Sequence, residues 1–210
     1  MPGTTLAYVR ISAFSDSATA DLKDSLNELQ KEGITGLVLD LRDNPGGLLD
    51  EAVGVASQFV ESGDVLLRRD AEGDTNGEPV SRRVEAVDLP MVVLVNRGTA
   101  SAAEIVVGAL QDHDRATVVG RTTFGAGTVL NQFTLSDGSV LLLAVEEWLT
   151  PEGRVIWQQG LVPDESVALP DGAQPLLQLG TAELTEEEIE NSGDTQLLRA
   201  LELMNASTSE

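Results

Sequence analysis

Two segments of the sequence share one order: a short apolar run, a turn of small residues, and an apolar stretch with helical spacing. Residues 36–41 lead into Asn44-Pro45-Gly46-Gly47 and then into residues 48–60, while residues 91–96 lead through a second small-residue turn into residues 102–111. Apolar runs of this length predict strands that are buried on both faces. Strands that alternate with helices predict a mostly parallel sheet with helices on both faces, so we expect an α/β fold.

The other periodic segments extend this pattern and add two hairpins. The apolar spacing predicts a strand over 5–14 and a helix over 18–31 that follows the polar cap Ser15-Asp16-Ser17. Glycine-containing turns between apolar runs indicate hairpins. The remaining predicted elements are a hairpin of strands 64–69 and 80–87 with its turn at 71–77, a strand over 117–119, a hairpin of strands 128–135 and 139–149 around Ser136-Asp137-Gly138, and a helix over 195–204.

The last third of the chain differs in composition. Residues 151–180 are rich in proline and glycine, which favours a surface crossing, and residues 181–192 form an acidic run with little apolar content that favours a solvated or partly mobile segment. We expect a core over residues 1–180, with the acidic segment and a C-terminal helix over 181–210 packing on it.

Charge and cysteine content exclude several functions. The 210 residues carry 13 Lys and Arg against 35 Asp and Glu, a formal net charge of −22, and such a surface repels nucleic acid and anionic membranes. The chain has no cysteine, which excludes disulfides and thiolate metal sites. Its apolar runs are strand-length, and its first residues show no signal-peptide pattern, so no membrane insertion is expected.

One serine stands where a predicted strand passes into a predicted helix. At the start of the helix, Ser101 would face free backbone N–H groups, and the amide of Ala102 would be a natural donor to a developing oxyanion. Gly46 or Gly47 could supply the second donor, because both turns follow parallel strands and therefore lie at one edge of the sheet. Ser101 could equally be a helix N-cap, and the glycines could form a plain tight turn.

Several long motifs follow one another along the chain. They are residues 6–11 with Phe14, Gly36-Leu37-Val38-Leu39-Asp40-Leu41-Arg42-Asp43-Asn44-Pro45-Gly46-Gly47, residues 96–105, 108–115 and 120–129, and Leu149-Thr150-Pro151-Glu152-Gly153-Arg154. In these segments the chain resembles the carboxyl-terminal processing peptidases, the tail-specific serine proteases of family S41. The resemblance covers most of the chain, and it implies a layered core like that of Clp protease and the crotonases.

The resemblance implies that Ser101 is the nucleophile. It also implies a general base lysine and an assisting glutamine at positions that hold Ala126 and Leu130 in this chain. The two lysines, Lys23 and Lys31, lie on a helix that the family places away from the active site.

Two other side chains are candidates for the missing base. His113 lies twelve residues after Ser101, roughly 18 Å along a helix, which favours a helix-end role. Glu104 lies one turn from Ser101, but the family motif carries this glutamate too, which favours a structural role. Three explanations remain open: loss of the dyad in a peptide-binding lineage, an unassigned base, or a lysine replaced to trap an inactive form.

The family further implies partners and location. In the family, a PDZ domain that captures the substrate's C-terminal tail precedes the equivalent of Thr5. Only four residues precede Thr5 here, so we expect a catalytic core without that module. The resemblance implies an unfolded or C-terminally exposed polypeptide as substrate, no metal or organic cofactor, and an extracytoplasmic location. Nothing in the sequence sets the oligomeric state.

The sequence therefore predicts a serine endopeptidase that cleaves near protein C-termini, with a substituted base site. The alternative is a catalytically inactive peptide-binding pseudoprotease. A crotonase-like enzyme acting on acyl-CoA would share the sheet and the oxyanion turns, but it would not explain the 149–154 motif, and no basic patch for the CoA phosphates is evident.

Overall fold

The computed structural model of the chain describes residues 6–81, 86–176 and 186–207. Strands and helices alternate along most of these residues. In chain order they are β1 Leu6–Arg10, α1 Ala18–Lys31, β2 Gly36–Asp40, α2 Leu49–Ala56, β3 Asp64–Arg69, β4 Thr75–Pro79, β5 Met91–Val95, α3 Ala102–Asp112, β6 Thr117–Gly120, β7 Thr128–Thr134, β8 Val140–Leu149, β9 Glu165–Ser166, α4 Glu186–Asn191 and α5 Thr195–Ser207.

A five-stranded parallel sheet forms the centre of the molecule. Its strand order is β1-β2-β5-β6-β9, and every neighbouring pair is parallel. Every residue of β2 and β5 is buried, as expected for strands covered on both faces. The prediction of an α/β fold with a parallel sheet flanked by helices is confirmed. Because all strands run the same way, the turns after β2, β5 and β6 meet at one edge.

Helices cover both faces of this sheet. Buried residues of α1, α2 and α3 pack in one core with alternate residues of β2 and β5. On the other face, Leu197, Ala200 and Met204 of α5 pack against Val38 and Leu94. The predicted C-terminal helix therefore completes the second helical layer, while the division of the chain at residue 180 stays a prediction.

A buried ion pair holds α5 in place. The guanidinium of Arg42 donates to both carboxylate oxygens of Asp40 and to both oxygens of Asp194, and all three side chains are fully buried. Asp194 also accepts a hydrogen bond from the amide of Leu197 in the first turn of α5. Tyr8 donates to Asp40 at 2.7 Å, and burial together with that carboxylate raises the pKa of Tyr8 well above its usual range.

A second, antiparallel sheet has the order β4-β3-β8-β7. The hairpin of β7 and β8 forms as predicted, and the strand predicted over 64–69 matches β3 to the residue. The prediction for β4 was wrong, because residues 75–79, which were assigned mainly to the turn, pair with β3. The turn itself is tighter: the amide of Asp74 and that of Glu72 both donate to the Asp70 carboxylate. Part of the strand predicted over 80–87 lies outside the described residues.

The structure adds short regular elements to two segments whose composition predicted a surface crossing and a solvated run. The stretch predicted to cross the surface contributes the short strand β9, which adds to the parallel sheet beside β6. Within the acidic run, Glu186–Asn191 forms α4, and Ile189 is buried against the core that α5 builds. Residues 181–185 lie outside the described residues.

Candidate active site

Two turns at the carboxyl edge of the parallel sheet are joined by hydrogen bonds. The amide of Asp43 donates to Asn96 Oδ1 at 3.0 Å, and Asn96 Nδ2 donates back to Asp43 Oδ1 at 2.9 Å. The amide of Ala100 donates to the carbonyl of Asn44 at 2.9 Å. These contacts hold the turn after β2 against the turn after β5, as the parallel sheet predicts.

Ser101 occupies a strained position at the start of α3. Its φ of 54° and ψ of −122° are unusual for a residue with a side chain, and its amide donates to the Glu104 carboxylate at 2.9 Å. The side chain is partly exposed, whereas the neighbouring residues Ala102 and Ala103 are completely buried. The geometry therefore presents one hydroxyl at a sharp strand-to-helix turn, as nucleophile elbows do.

Gly46 brings the first turn into direct contact with Ser101. Its φ is +99°, and a methyl group added at its Cα would lie 2.7 Å from Ser101 Cβ and 2.9 Å from the Ala102 nitrogen. Gly47, with φ +147°, is equally restricted, because its Cβ would lie 2.3 Å from the carbonyl oxygen of Phe14. Both predicted glycines are therefore required by close approach and by backbone conformation together.

Some backbone amides around Ser101 already donate a hydrogen bond within the protein, and others do not. The Gly46 amide donates to Asn44 Oδ1 at 2.8 Å, in an Asx turn that its Asn-Pro-Gly-Gly sequence could have indicated. The amides of Gly47 and Ala102 donate to no group within the described part of the chain. Of the two glycines considered, Gly47 is thus the one with an available donor.

Glu104 is the centre of the site and was not recognised as such from the sequence. Its fully buried carboxylate accepts four hydrogen bonds. The donors are Thr123 Oγ1 at 2.5 Å, the Gly125 amide at 2.7 Å, the Ala126 amide at 2.8 Å and the Ser101 amide. Glu104 therefore ties the Ser101 turn to the 123–126 loop, and this occupancy favours the structural role over the role of proton acceptor.

The two substituted positions, Ala126 and Leu130, lie in different surroundings. Ala126 shares Glu104 with Ser101 and so belongs to the site, although its methyl group offers no acid or base. Leu130 lies on β7 opposite Ala144 and is 59% exposed. The neighbouring loop surface also carries Phe124, another exposed apolar side chain.

The other basic side chains weighed from the sequence lie elsewhere. His113 caps the far end of α3, where its Nε2 contacts the Asp64 carbonyl oxygen at 2.8 Å and its ring packs on Gly63. Lys23 and Lys31 are exposed on α1. The helix-end role of His113 is thus what its contacts support.

A cavity lined by more carboxylates than cations adjoins the loop that follows Ala126. Gly127 packs on the backbone of Trp157, since its Cβ would lie 2.5 Å from that nitrogen. A cavity of about 360 Å³ next to it is lined by Trp157, Thr128 and the ion pair of Arg69 with Glu147, among others.

Among the described residues, no cluster of carboxylates and histidine is arranged to hold a metal ion. No described helix is both long and apolar enough to cross a bilayer.

The sequence matches the model of Peptidase family S41 over residues 5–167. It is 38% identical over 203 residues to a carboxyl-terminal-processing protease of Synechocystis sp., which covers 97% of this chain and 44% of that protein. It is 36% identical over 174 residues to the carboxy-terminal processing protease CtpA of Bacillus subtilis, which covers 83% of this chain and 37% of that protein. The chain thus spans less than half the length of these relatives.

Solved structures agree with the sequence comparisons. A photosystem II D1 C-terminal processing protease superposes with a TM-score of 0.74 at 40% identity, covering 81% of this chain and 46% of that one. A protein from Parabacteroides merdae, 23% identical with a TM-score of 0.70 over 95% of this chain and 61% of that one, shares the fold.

Proposed function

This chain belongs to peptidase family S41, and we propose that it is a serine endopeptidase that cleaves polypeptides near their C-termini through Ser101. The observation that carries the proposal is the strained Ser101 turn, held by Glu104 and contacted by Gly46. A peptidase needs such a fixed hydroxyl because attack on a carbonyl carbon requires alignment as well as nucleophilicity.

The available amides supply the electrostatic part of the mechanism. When the Ser101 oxygen adds to the scissile carbonyl, negative charge develops on the carbonyl oxygen. The N–H groups of Ala102 and Gly47 have no acceptor among the described residues, and they would stabilise this oxyanion. Ala102 lies at the N-terminus of α3, where the helix dipole adds to the effect.

The proton of the Ser101 hydroxyl requires an acceptor that Ala126 and Leu130 do not provide. In serine enzymes with a catalytic triad, oxyanion stabilisation and binding alone retain roughly 10³ to 10⁴-fold catalysis over water after a triad member is removed. We therefore expect slow hydrolysis at a site whose proton acceptor is a group other than residues 126 and 130.

The alternative is a peptide-binding pseudoprotease, and one observation favours it. Loss of the lysine alone would be enough to inactivate the site. Here both the lysine position and the glutamine position carry apolar side chains, Ala126 and Leu130. In either case the partner is an unfolded or C-terminally exposed polypeptide, and the family resemblance supports action outside the cytoplasm.

Three proteins test the proposal against the alternative: the parent chain, Ser101→Ala, and the double variant Ala126→Lys with Leu130→Gln. Each is incubated with an unfolded protein substrate, and the products are identified by mass spectrometry. We expect slow cleavage by the parent, slower cleavage by Ser101→Ala, and faster cleavage by the double variant.

Two results would reject the proposal. Cleavage by Ser101→Ala at the rate of the parent would eliminate the serine mechanism. An inactive parent with an active double variant would establish the pseudoprotease, in which a competent scaffold lacks its base.

A further inference from the structure

The hairpin of β7 and β8 exposes an apolar surface on both sides. We call residues 128–145 the apolar ribbon. Eight of its large apolar side chains are between 37% and 59% exposed: Leu130, Phe133, Leu135, Val140, Leu141, Leu142, Leu143 and Val145. The cross-strand pairs place Leu130, Val140 and Leu142 on one face and Phe133, Leu141 and Leu143 on the other. A two-stranded ribbon with both apolar faces exposed to solvent is marginally stable by itself, so other protein surface must pack on it.

The exposed apolar area is divided between the two faces of the ribbon. The eight side chains together present on the order of 700 Å², so each face by itself is within the roughly 300–600 Å² of the largest apolar patch on a typical monomer. A standard protein interface buries about 800 Å² on each partner. The ribbon alone therefore nearly supplies one side of a stable interface, provided that both faces are covered.

Charge indicates what the partner is. From Thr122 to Val145 the only ionisable side chain is Asp137, although the whole chain has a net charge of −22. A basic partner would be drawn to the acidic remainder of the surface instead. A second chain with the same acidic charge can approach closely only where charge is absent, because like charges that meet directly at an interface are costly.

The edge of the ribbon also suits a symmetric contact. β7 is the outer strand of its sheet, and it carries none of the charged side chains that usually protect a free edge. An interface between identical chains about a twofold axis uses one patch twice, so a single self-complementary patch is sufficient.

We propose that the apolar ribbon is the contact surface of a homodimer, in which the ribbons of two copies clasp each other. This inference is independent of whether Ser101 is catalytic. The test is sedimentation equilibrium of the parent chain, Leu142→Glu, Leu141→Glu and the control Val162→Glu. Val162 is 62% exposed but lies outside the ribbon, so the control adds the same charge elsewhere.

The parent should dimerise at micromolar concentrations, and sodium chloride should strengthen the dimer because it screens the repulsion between two acidic chains. Each ribbon variant, one on each face, should weaken the dimer by at least about tenfold, while Val162→Glu should match the parent. Thermal unfolding keeps the result interpretable, since these exposed substitutions should leave the fold intact.

A monomeric parent would overturn the proposal, as would a dimer that both ribbon variants leave unchanged. Dissociation of the parent by salt would also contradict it, because that response indicates charge pairing. If a monomeric parent binds an unfolded polypeptide and Leu142→Glu abolishes that binding, the ribbon is a substrate surface instead.

Discussion

At the scale of single residues, the site depends on contacts between backbone and side chain more than on the identity of exposed groups. Glu104 accepts from the amides of Ser101, Gly125 and Ala126, so one carboxylate sets the spacing of two loops. Gly46 sets the spacing of the turn after β2 in a similar way, because the absence of a side chain permits contact with Ser101. These roles lead to two predictions that are separate from catalysis.

Glu104→Gln should lower the free energy of unfolding by about 3 kcal/mol, because the amide nitrogen of glutamine cannot accept the hydrogen bonds that the carboxylate accepts. Urea denaturation measures the loss, and hydrogen exchange of the Gly125 and Ala126 amides should accelerate with it. Glu152→Gln, at an exposed position, is the matched control and should stay within about 0.5 kcal/mol of the parent. Equal effects of the two substitutions would contradict the central role of Glu104.

Gly46→Ala should be more destabilising than Gly73→Ala. Both glycines have positive φ, +99° and +92°, so both substitutions carry a conformational cost of about 1 kcal/mol. Only Gly46 has neighbours in the way, and the overlap with Ser101 should add about 2 kcal/mol. The difference in urea midpoint between the two variants measures the contact; no difference would show that the turn can move away from Ser101.

At the scale of elements, α5 is fixed to the sheet by charge as well as by apolar packing. Arg42 lies two residues after the end of β2, and its guanidinium binds both Asp40 and Asp194. The start of α5 is therefore bound near the same turn that carries Gly46 and Gly47. A fully buried arginine is costly unless it is paired. The C-terminal helix is therefore part of the support of the candidate site.

Asp194→Asn tests this support, because asparagine retains an oxygen for the Leu197 amide while it removes the negative charge. We expect a loss of about 1–3 kcal/mol in unfolding free energy, because the charge-assisted hydrogen bonds from Arg42 weaken while Asp40 still pairs with the guanidinium. The exposed pair of Arg199 and Glu202 provides the control, and Glu202→Gln should cost less than about 1 kcal/mol. If the two substitutions cost the same, Arg42 has found another partner.

At the scale of the whole molecule, the distribution of charge is the dominant feature. A net charge of −22 on 210 residues places carboxylates over most of the surface, while the apolar ribbon carries almost none. Self-repulsion of the acidic surface opposes the compact state. The same repulsion determines which surface two copies can share.

The melting temperature should therefore rise as sodium chloride increases from about 10 mM to about 150 mM, because the Debye length falls from about 30 Å to about 8 Å. Exposed ion pairs such as Arg68 with Glu146 weaken under the same change, but each contributes little. Calorimetry at fixed pH measures the shift, and a melting temperature that falls with salt would mean that attractive pairs outweigh the net repulsion.

The sequence by itself was sufficient for the parallel sheet, for the bounds of α1 and β3, and for Ser101 at a strand-to-helix turn. These features follow from local patterns: the period of apolar residues, helix caps and glycine turns. The position of β4 and the roles of Glu104, Asp43 with Asn96, and Arg42 with Asp194 were decided only in the tertiary structure. Each depends on contacts with residues on other elements, and chain folding, not local propensity, brings those groups together.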